Sequence, residues 1–104
     1  MALGSRTRPA HAEGMDDSTF VEQCRALGDP IRWAIVRELH GGTRCACVLA
    51  QVTDVSSTLL SHHLKVLREA GLVTGARRGR WIDYTLVDSA VAGLGASLTG
   101  EAVR

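Results

Sequence analysis

The feature that most constrains the fold is a change in hydrophobic period near Gly71. Before this glycine, apolar residues recur at helical spacing, which predicts a helix over residues 56–70. Its buried stripe is formed by Leu60, Leu64 and Leu67. After the glycine, apolar and polar residues alternate in two short runs, 72–76 and 80–86, joined around Gly79. This alternation predicts a β-hairpin directly behind the helix.

Turn and capping residues divide the upstream chain into three further predicted helices. The first begins at residues 16–18 (Asp-Asp-Ser), and the second begins at Asp29, with Pro30 at its first helical position. The third is a short helix over residues 43–51, and a last apolar helix follows the hairpin from Asp88. The predicted fold is therefore mostly α with a β-hairpin wing. It is a winged helix-turn-helix with the order ααααββα.

Length and composition limit the class of protein. The 104 residues are enough for one small domain, predicted over residues 16–104, after a polar, aperiodic and disordered tail over residues 1–15. No apolar run reaches the roughly 18 residues that a membrane span needs, so we expect a cytoplasmic protein without a membrane partner. Three cysteines are too few for a disulfide scaffold and indicate free thiols. So short a chain favours a binding module over an enzyme.

A second pattern is the polar and basic face opposite the leucine stripe. Short hydroxyls near a helix N-terminus can approach base edges in the major groove of DNA, and basic side chains can hold phosphates. From residue 56 to residue 82 there are five basic residues and one acidic residue, a net charge of +4 against +1 for the whole chain. The alternative interpretation is an ordinary solvated helix face. The candidate DNA-binding residues are Ser56, Ser57, Thr58, Ser61, His62 and Lys65 on the helix and Arg77, Arg78 and Arg80 at the hairpin tip.

Three segments carry a family resemblance, which spans residues 18–98. They are residues 27–32 (LGDPIR), 61–73 (SHHLKVLREAGLV) and 78–86 (RGRWIDYTL). Together they are very similar to motifs of the ArsR/SmtB family of winged-helix repressors. The resemblance implies a homodimer, joined through its first and last helices, that binds operator DNA with dyad symmetry. It also implies repression that ends when a metal binds, although some members of this family sense no metal.

Two cysteines occupy the place of that family's metal box, at the start of the third predicted helix. Cys45 and Cys47 match its two cysteines. The sequence departs from the box at Val48, where the family has an acid, and at Ala50, where some arsenic sensors have a third cysteine. In a regular helix, residues i and i+2 point about 200° apart, so joint ligation needs an extended first turn. The helix N-terminus and Arg44 favour the thiolate form.

The remaining thiol is Cys24, on the apolar face of the first predicted helix. It is either a small core residue or a third metal ligand, within one subunit or across a dimer. Three sulfurs suit As(III) or Sb(III), and two or three suit Hg(II). The predicted function is therefore a repressor that As(III) or Sb(III) releases from its operator, with Cys45, Cys47 and Cys24 as the candidate ligands. No organic cofactor is expected.

Other triggers and one other class of protein are alternatives. The same fold could respond to Hg(II), to Cd(II) or Pb(II), or to oxidation of nearby thiols. A small thiol oxidoreductase is a remote alternative, because the C-x-C pair is its only support and no nucleophile with a base can be placed. A zinc, nickel or cobalt site on the last helix is disfavoured, since residues 88–104 contain Asp88 and Glu101 but no histidine.

Overall fold

A computed structural model describes residues 17–100. Its helices are α1 (Asp17–Leu27), α2 (Pro30–Leu39), α3 (Ala46–Thr53), α4 (Ser57–Glu69) and α5 (Asp88–Thr99), and its strands are β1 (Arg44–Cys45), β2 (Val73–Arg78) and β3 (Trp81–Leu86). The architecture confirms the predicted winged helix-turn-helix and adds the strand β1. The tail predicted over residues 1–15 lies outside the described residues. Within them, every helix is too short or too polar to cross a membrane.

Local capping explains where two of the helices begin. Asp29 is extended, and its carboxylate accepts hydrogen bonds from the backbone N–H groups of Ile31 at 2.8 Å and Arg32 at 3.2 Å. Ser56 caps α4 in the same way, since its hydroxyl oxygen accepts from the N–H of Leu59 at 3.1 Å. A cap of this kind contributes about 0.5–2 kcal/mol. Both helix starts therefore follow from the sequence.

The third helix begins later than the sequence pattern predicts. It starts at Ala46 and not at Thr43, because Arg44 and Cys45 are extended and form β1. This strand pairs antiparallel with β3, where Cys45 lies opposite Asp83. A strand of two residues carries no recognisable alternation, so the pattern merged it with the neighbouring helix. The correction places Cys45 in the sheet.

The sheet has the strand order β1-β3-β2, so β3 is its central strand. The β2–β3 hairpin is paired from Val73 opposite Leu86 to Arg78 opposite Trp81. Its tight turn contains Gly79 at φ +61°, a conformation that glycine adopts without steric cost. Beyond Val73 the residues of β2 are exposed, so the hairpin stands in solvent as the predicted wing.

The hydrophobic core lies where α2, α3 and α4 meet the base of the hairpin. Its most completely buried large side chains are Ile35, Leu49, Leu67, Leu72 and Val73. The predicted leucine stripe of α4 is buried in this core, together with His63. The opposite face of α4 is consequently turned to solvent.

Candidate thiol site and nucleic-acid interface

The solvent face of α4 carries the residues predicted to contact DNA. All of them are exposed, namely Ser56, Ser57, Thr58, Ser61, His62 and Lys65. The hydroxyls cluster in and before the first turns of α4, and Lys65 follows further along the helix. An exposed helix N-terminus with short polar side chains has the shape and the donors that a major groove accepts.

One contact that the sequence analysis missed joins α4 to the first two helices. Arg32 donates from Nε to the backbone carbonyl of Ala26 at 2.6 Å, and its Nη1 lies 3.0 Å from Nδ1 of His63. Since a guanidinium can only donate, Nδ1 of the buried His63 is the acceptor. One side chain of the LGDPIR segment thus holds α1, α2 and α4 together. The available signal was the position of His63 one helical turn after Leu60, on the buried stripe.

The buried histidine makes the fold sensitive to acid. Burial lowers the pKa of His63 below its ordinary value of 6.5, the charges of Arg32 and His62 lower it further, and Asp29 opposes this shift. The unfolded chain therefore takes up a proton at a pH where the folded chain does not. Stability is consequently present above about pH 6.5 and lost as the pH falls from there toward the lower pKa of the folded chain.

We expect the urea midpoint of unfolding to fall between about pH 7.5 and about pH 5.5. The His63→Asn variant should lose most of this dependence, since asparagine keeps an acceptor near Nδ1 but does not titrate. A His40→Asn variant, at an exposed histidine, is the control and should keep it. Equal slopes for wild type and His63→Asn would contradict the assignment.

The arginines of the wing differ in their partners. Arg78 donates from Nε and Nη2 to the two carboxylate oxygens of Asp83, at 2.7 and 3.0 Å. The hydrogen bond from Arg78 lowers the pKa of Asp83, and the same bond raises the pKa of Arg78. Arg77 and Arg80 are exposed and form no ion pair within residues 17–100. These two are therefore the wing cations that are available to phosphates.

The thiol pair lies at the entry to α3. Cys45 is extended, with φ −66° and ψ 147°, and the Sγ atoms of Cys45 and Cys47 are in direct contact as a disulfide pair. Their Cα atoms are 5.2 Å apart, a separation usual for paired cysteines. The Sγ of Cys45 also accepts a hydrogen bond from the N–H of Cys47 at 3.2 Å, which caps α3. The extended turn that joint use of both sulfurs requires is therefore present.

Side-chain contacts just before Cys45 anchor β1 to α2 and to β3. Arg44 donates from Nε to a carboxylate oxygen of Glu38 on α2 at 3.1 Å. The hydroxyls of Thr43 and Thr85 are hydrogen-bonded at 2.9 Å, which adds a link to β3. The sequence predicts that Arg44 acts on the thiols, whereas its guanidinium pairs with Glu38. β1 is thus held between α2 and β3.

Cys24 lies apart from this pair. It is exposed on α1, so it is not the core residue that one of the two predictions for it requires. The buried positions of α1 are Gln23 and Ala26, and Gln23 donates to the carbonyl of Ala70 at 2.9 Å. Across residues 17–100, no three histidine, cysteine or acidic side chains are grouped as a metal site. One chain therefore brings together two of the three predicted sulfur ligands.

Apolar side chains on α1 and α5 are exposed to solvent. They include Val21 on α1 and Val91 and Leu98 on α5, whereas Leu94 of α5 is buried. The family resemblance assigns the dimer contact to these two helices.

Comparison with known proteins places this geometry in a family. Residues 29–74 match the sequence profile described as "Bacterial regulatory protein, arsR family". The transcriptional repressor SmtB of Mycobacterium tuberculosis is 45% identical over 71 residues, which are 68% of this chain and 53% of that protein. The arsenical resistance operon repressor of Bacillus subtilis is 38% identical over 76 residues, 72% of each protein. The chain thus spans about half the length of the first relative and nearly three quarters of the second.

A solved structure supports the same assignment. The crystal structure of a possible transcriptional regulator for arsenical resistance is 32% identical and superposes with a TM-score of 0.70, covering 80% of this chain and 86% of that one. The profile and these relatives describe regulatory proteins, which confirms the prediction that the chain is not an enzyme. The motifs, the winged helix-turn-helix and the relatives agree, and the chain belongs to the arsR family of bacterial regulatory proteins.

Proposed function

We propose that this protein is a metal(loid)-responsive transcriptional repressor that binds operator DNA as a homodimer and releases it when As(III) or Sb(III) binds Cys45 and Cys47. The observation that carries this proposal is the contact between the two sulfurs at the entry to α3, the helix that packs against α4. Relatives named as repressors, one of them of an arsenical resistance operon, support the transcriptional role.

DNA binding in this proposal uses α4 and the wing. The hydroxyl-rich end of α4 enters the major groove, where Ser57, Thr58, Ser61 and His62 contact bases. Ser56 caps the helix at its entrance. Lys65, Arg77 and Arg80 contact phosphates, which supply affinity but no sequence preference. A two-fold dimer presents two such helices to half-sites about 34–36 Å apart, so the operator has dyad symmetry.

The thiol chemistry suits a thiophilic ion. When the pair is reduced, its two thiolates supply two of the three sulfurs that pyramidal As(III) or Sb(III) takes, and they suffice for Hg(II). The third sulfur comes from Cys24 of a second copy or from a small-molecule thiol. The exposure of Cys24 on α1, a helix at the proposed dimer contact, makes the first source sterically accessible.

Ligation and DNA binding are coupled through α3. An ion held by both sulfurs competes for Cys45 Sγ with the hydrogen bond from the N–H of Cys47, which caps α3. Changing this cap changes the start of a helix that packs against both α2 and α4. Couplings of this type are typically about 1–3 kcal/mol, enough for an affinity change of about 5–150-fold.

The test begins with an operator selected from random duplexes by the reduced protein. In sodium arsenite, wild type should lose operator affinity by about 5–150-fold. The Cys45→Ser and Cys47→Ser variants should bind the operator as wild type does and remain bound in arsenite. If Cys24 supplies the third sulfur, the Cys24→Ser variant should keep only part of the response to arsenite. A Cys45→Ser/Cys47→Ser double variant that still dissociates in arsenite would overturn the site assignment.

The sulfur contact also favours a second candidate trigger, oxidation of the same pair. A hydroperoxide would accept the two electrons, so that two thiols and one hydroperoxide give a disulfide, an alcohol and water. Treatment of the reduced protein with a hydroperoxide, followed by mass measurement and operator binding, separates the two triggers. Release that accompanies the loss of two hydrogens and is reversed by dithiothreitol supports oxidation. Release by arsenite with every thiol still reduced supports the metalloid.

A further inference from the structure

We propose that Asp83 is a positioning residue that couples the thiol pair to the wing, and that Arg78 acts through Asp83 without contacting a phosphate. This inference rests on the proposed function, because it names a second path by which ligand binding reaches the DNA-binding surface. It adds to the path through α3 and α4 and assigns roles within the wing.

The first observation is the place of Asp83 in the sheet. β3 is the central strand, and Asp83 lies opposite Cys45 of β1 on one side and opposite Ala76 of β2 on the other. The backbone of this one residue therefore links the strand that contains the first thiol to the strand that ends in the wing arginines. No other position of β3 pairs with a cysteine within residues 17–100.

The second observation is the side-chain fork that leaves the same residue. The carboxylate of Asp83 accepts two hydrogen bonds from Arg78, which is paired with Trp81 at the far end of the hairpin. Two-point arginine–carboxylate pairs fix geometry as well as distance. The fork therefore connects the middle of β3 to the wing tip. It makes the orientation of the tip depend on where β3 lies.

The third observation is that β1 has little freedom to move alone. Glu38 holds Arg44 on the side of α2, and the Thr43–Thr85 hydrogen bond holds the start of β1 on β3. An ion held between the two sulfurs displaces Cys45 from its contact with Cys47, and because β1 is anchored this displacement is transmitted to β3. Because Asp83 pairs with Cys45 in the sheet and with Arg78 through its carboxylate, this displacement reaches the fork.

The charges lead to a measurable difference between the wing arginines. With its guanidinium held by Asp83, Arg78 adds no net cation at the DNA, whereas Arg77 and Arg80 each do. Each phosphate contact contributes about 0.9 to the slope of log affinity against log salt. The pair Arg78 and Asp83 should therefore contribute nothing to this slope. Arg77 contributes about 0.9 per chain.

The experiment measures operator affinity against salt, with and without sodium arsenite, for matched double variants. Arg78→Gln/Asp83→Asn replaces the pair with neutral polar side chains and leaves the net charge unchanged. We expect its salt slope to equal that of wild type. Its arsenite-induced loss of operator affinity should be smaller than that of wild type by about threefold or more, where such losses are typically about 5–150-fold. Arg77→Gln/Asp88→Asn, the control, makes the same charge changes at two residues that form no ion pair in the part of the chain that the structure describes. It should lower the slope and keep the full release.

A single Asp83→Asn variant gives an independent readout that needs no arsenite. It frees Arg78, so the salt slope should rise by up to about 0.9 per chain. The inference alone is overturned if wild type responds to arsenite and the Arg78→Gln/Asp83→Asn variant responds equally, or if the slope of that variant falls as in the control. If wild type ignores both the operator and arsenite, the proposed function fails and this inference with it.

Discussion

The Arg32→Ala variant is expected to lower the free energy of unfolding by about 2–4 kcal/mol, because it leaves two polar groups without their donor. They are the carbonyl of Ala26 and the buried Nδ1 of His63, which Arg32 contacts at 2.6 and 3.0 Å. An unsatisfied buried group costs about 1–3 kcal/mol. Since domains of this kind are stable by about 5–15 kcal/mol, the loss is a large fraction of the total.

Urea denaturation measures this loss, and two further variants show where it comes from. Arg37→Ala removes an exposed arginine from the same helix and should change stability by less than about 0.5 kcal/mol. Arg32→Lys keeps the charge but cannot reach two acceptors with a planar fork, so it should lie between wild type and Arg32→Ala. If Arg32→Ala and Arg37→Ala were equally stable, the proposed link between α1, α2 and α4 would be wrong.

The largest effect on DNA binding is expected for the Arg77→Ala/Arg80→Ala variant. In a dimer it removes four phosphate contacts at about 0.9 each, which lowers the slope of log affinity against log salt by about 3.6. At about 0.15 M salt this corresponds to a loss of affinity on the order of 10³-fold. Fluorescence anisotropy over a range of salt concentrations gives both quantities. The loss should be similar for specific and random duplexes, because phosphates carry no sequence information.

A matched control removes the same number of charges elsewhere. Arg25 and Arg37 are exposed on α1 and α2, and neither is among the predicted DNA-binding residues. The Arg25→Ala/Arg37→Ala variant should retain most of the salt slope, with a small uniform loss from the lower net charge. Equal slopes for the two double variants would show that the wing does not contact the backbone of DNA.

The sequence predicted the elements that have strong local signals. The change of period near Gly71, the cap at Asp29 and the leucine stripe were enough for the order of helices and the hairpin. These signals depend only on residues that are close together in the sequence, and the structure agrees with them. The strand β1 escaped prediction because its two residues are extended only through pairing with β3. Pairing between residues about 40 positions apart has no local signature.

The sequence predicted which residues form the candidate site better than it predicted how their side chains are arranged. The C-x-C spacing and the need for an extended turn identified Cys45 and Cys47, and the structure brings their sulfurs together. One of the two interpretations made Cys24 a core residue, but the apolar face of α1 is only partly covered by its own chain and Cys24 is exposed. The partners Glu38 for Arg44 and Asp83 for Arg78 depend on tertiary packing and on strand register. Neither can be deduced from spacing alone.

The strand order of the small sheet also bears on how the protein avoids aggregation. An open sheet edge offers unpaired backbone groups to other chains, and natural proteins protect such edges with short strands and charged side chains. Here one edge is β1, only two residues long, and the other is β2, which ends in Arg77 and Arg78. Arg77 and Arg78 therefore protect this sheet edge from pairing with other chains, in addition to the phosphate contact proposed for Arg77. Variants that neutralise them need light-scattering checks for self-association before a weaker affinity is credited to DNA.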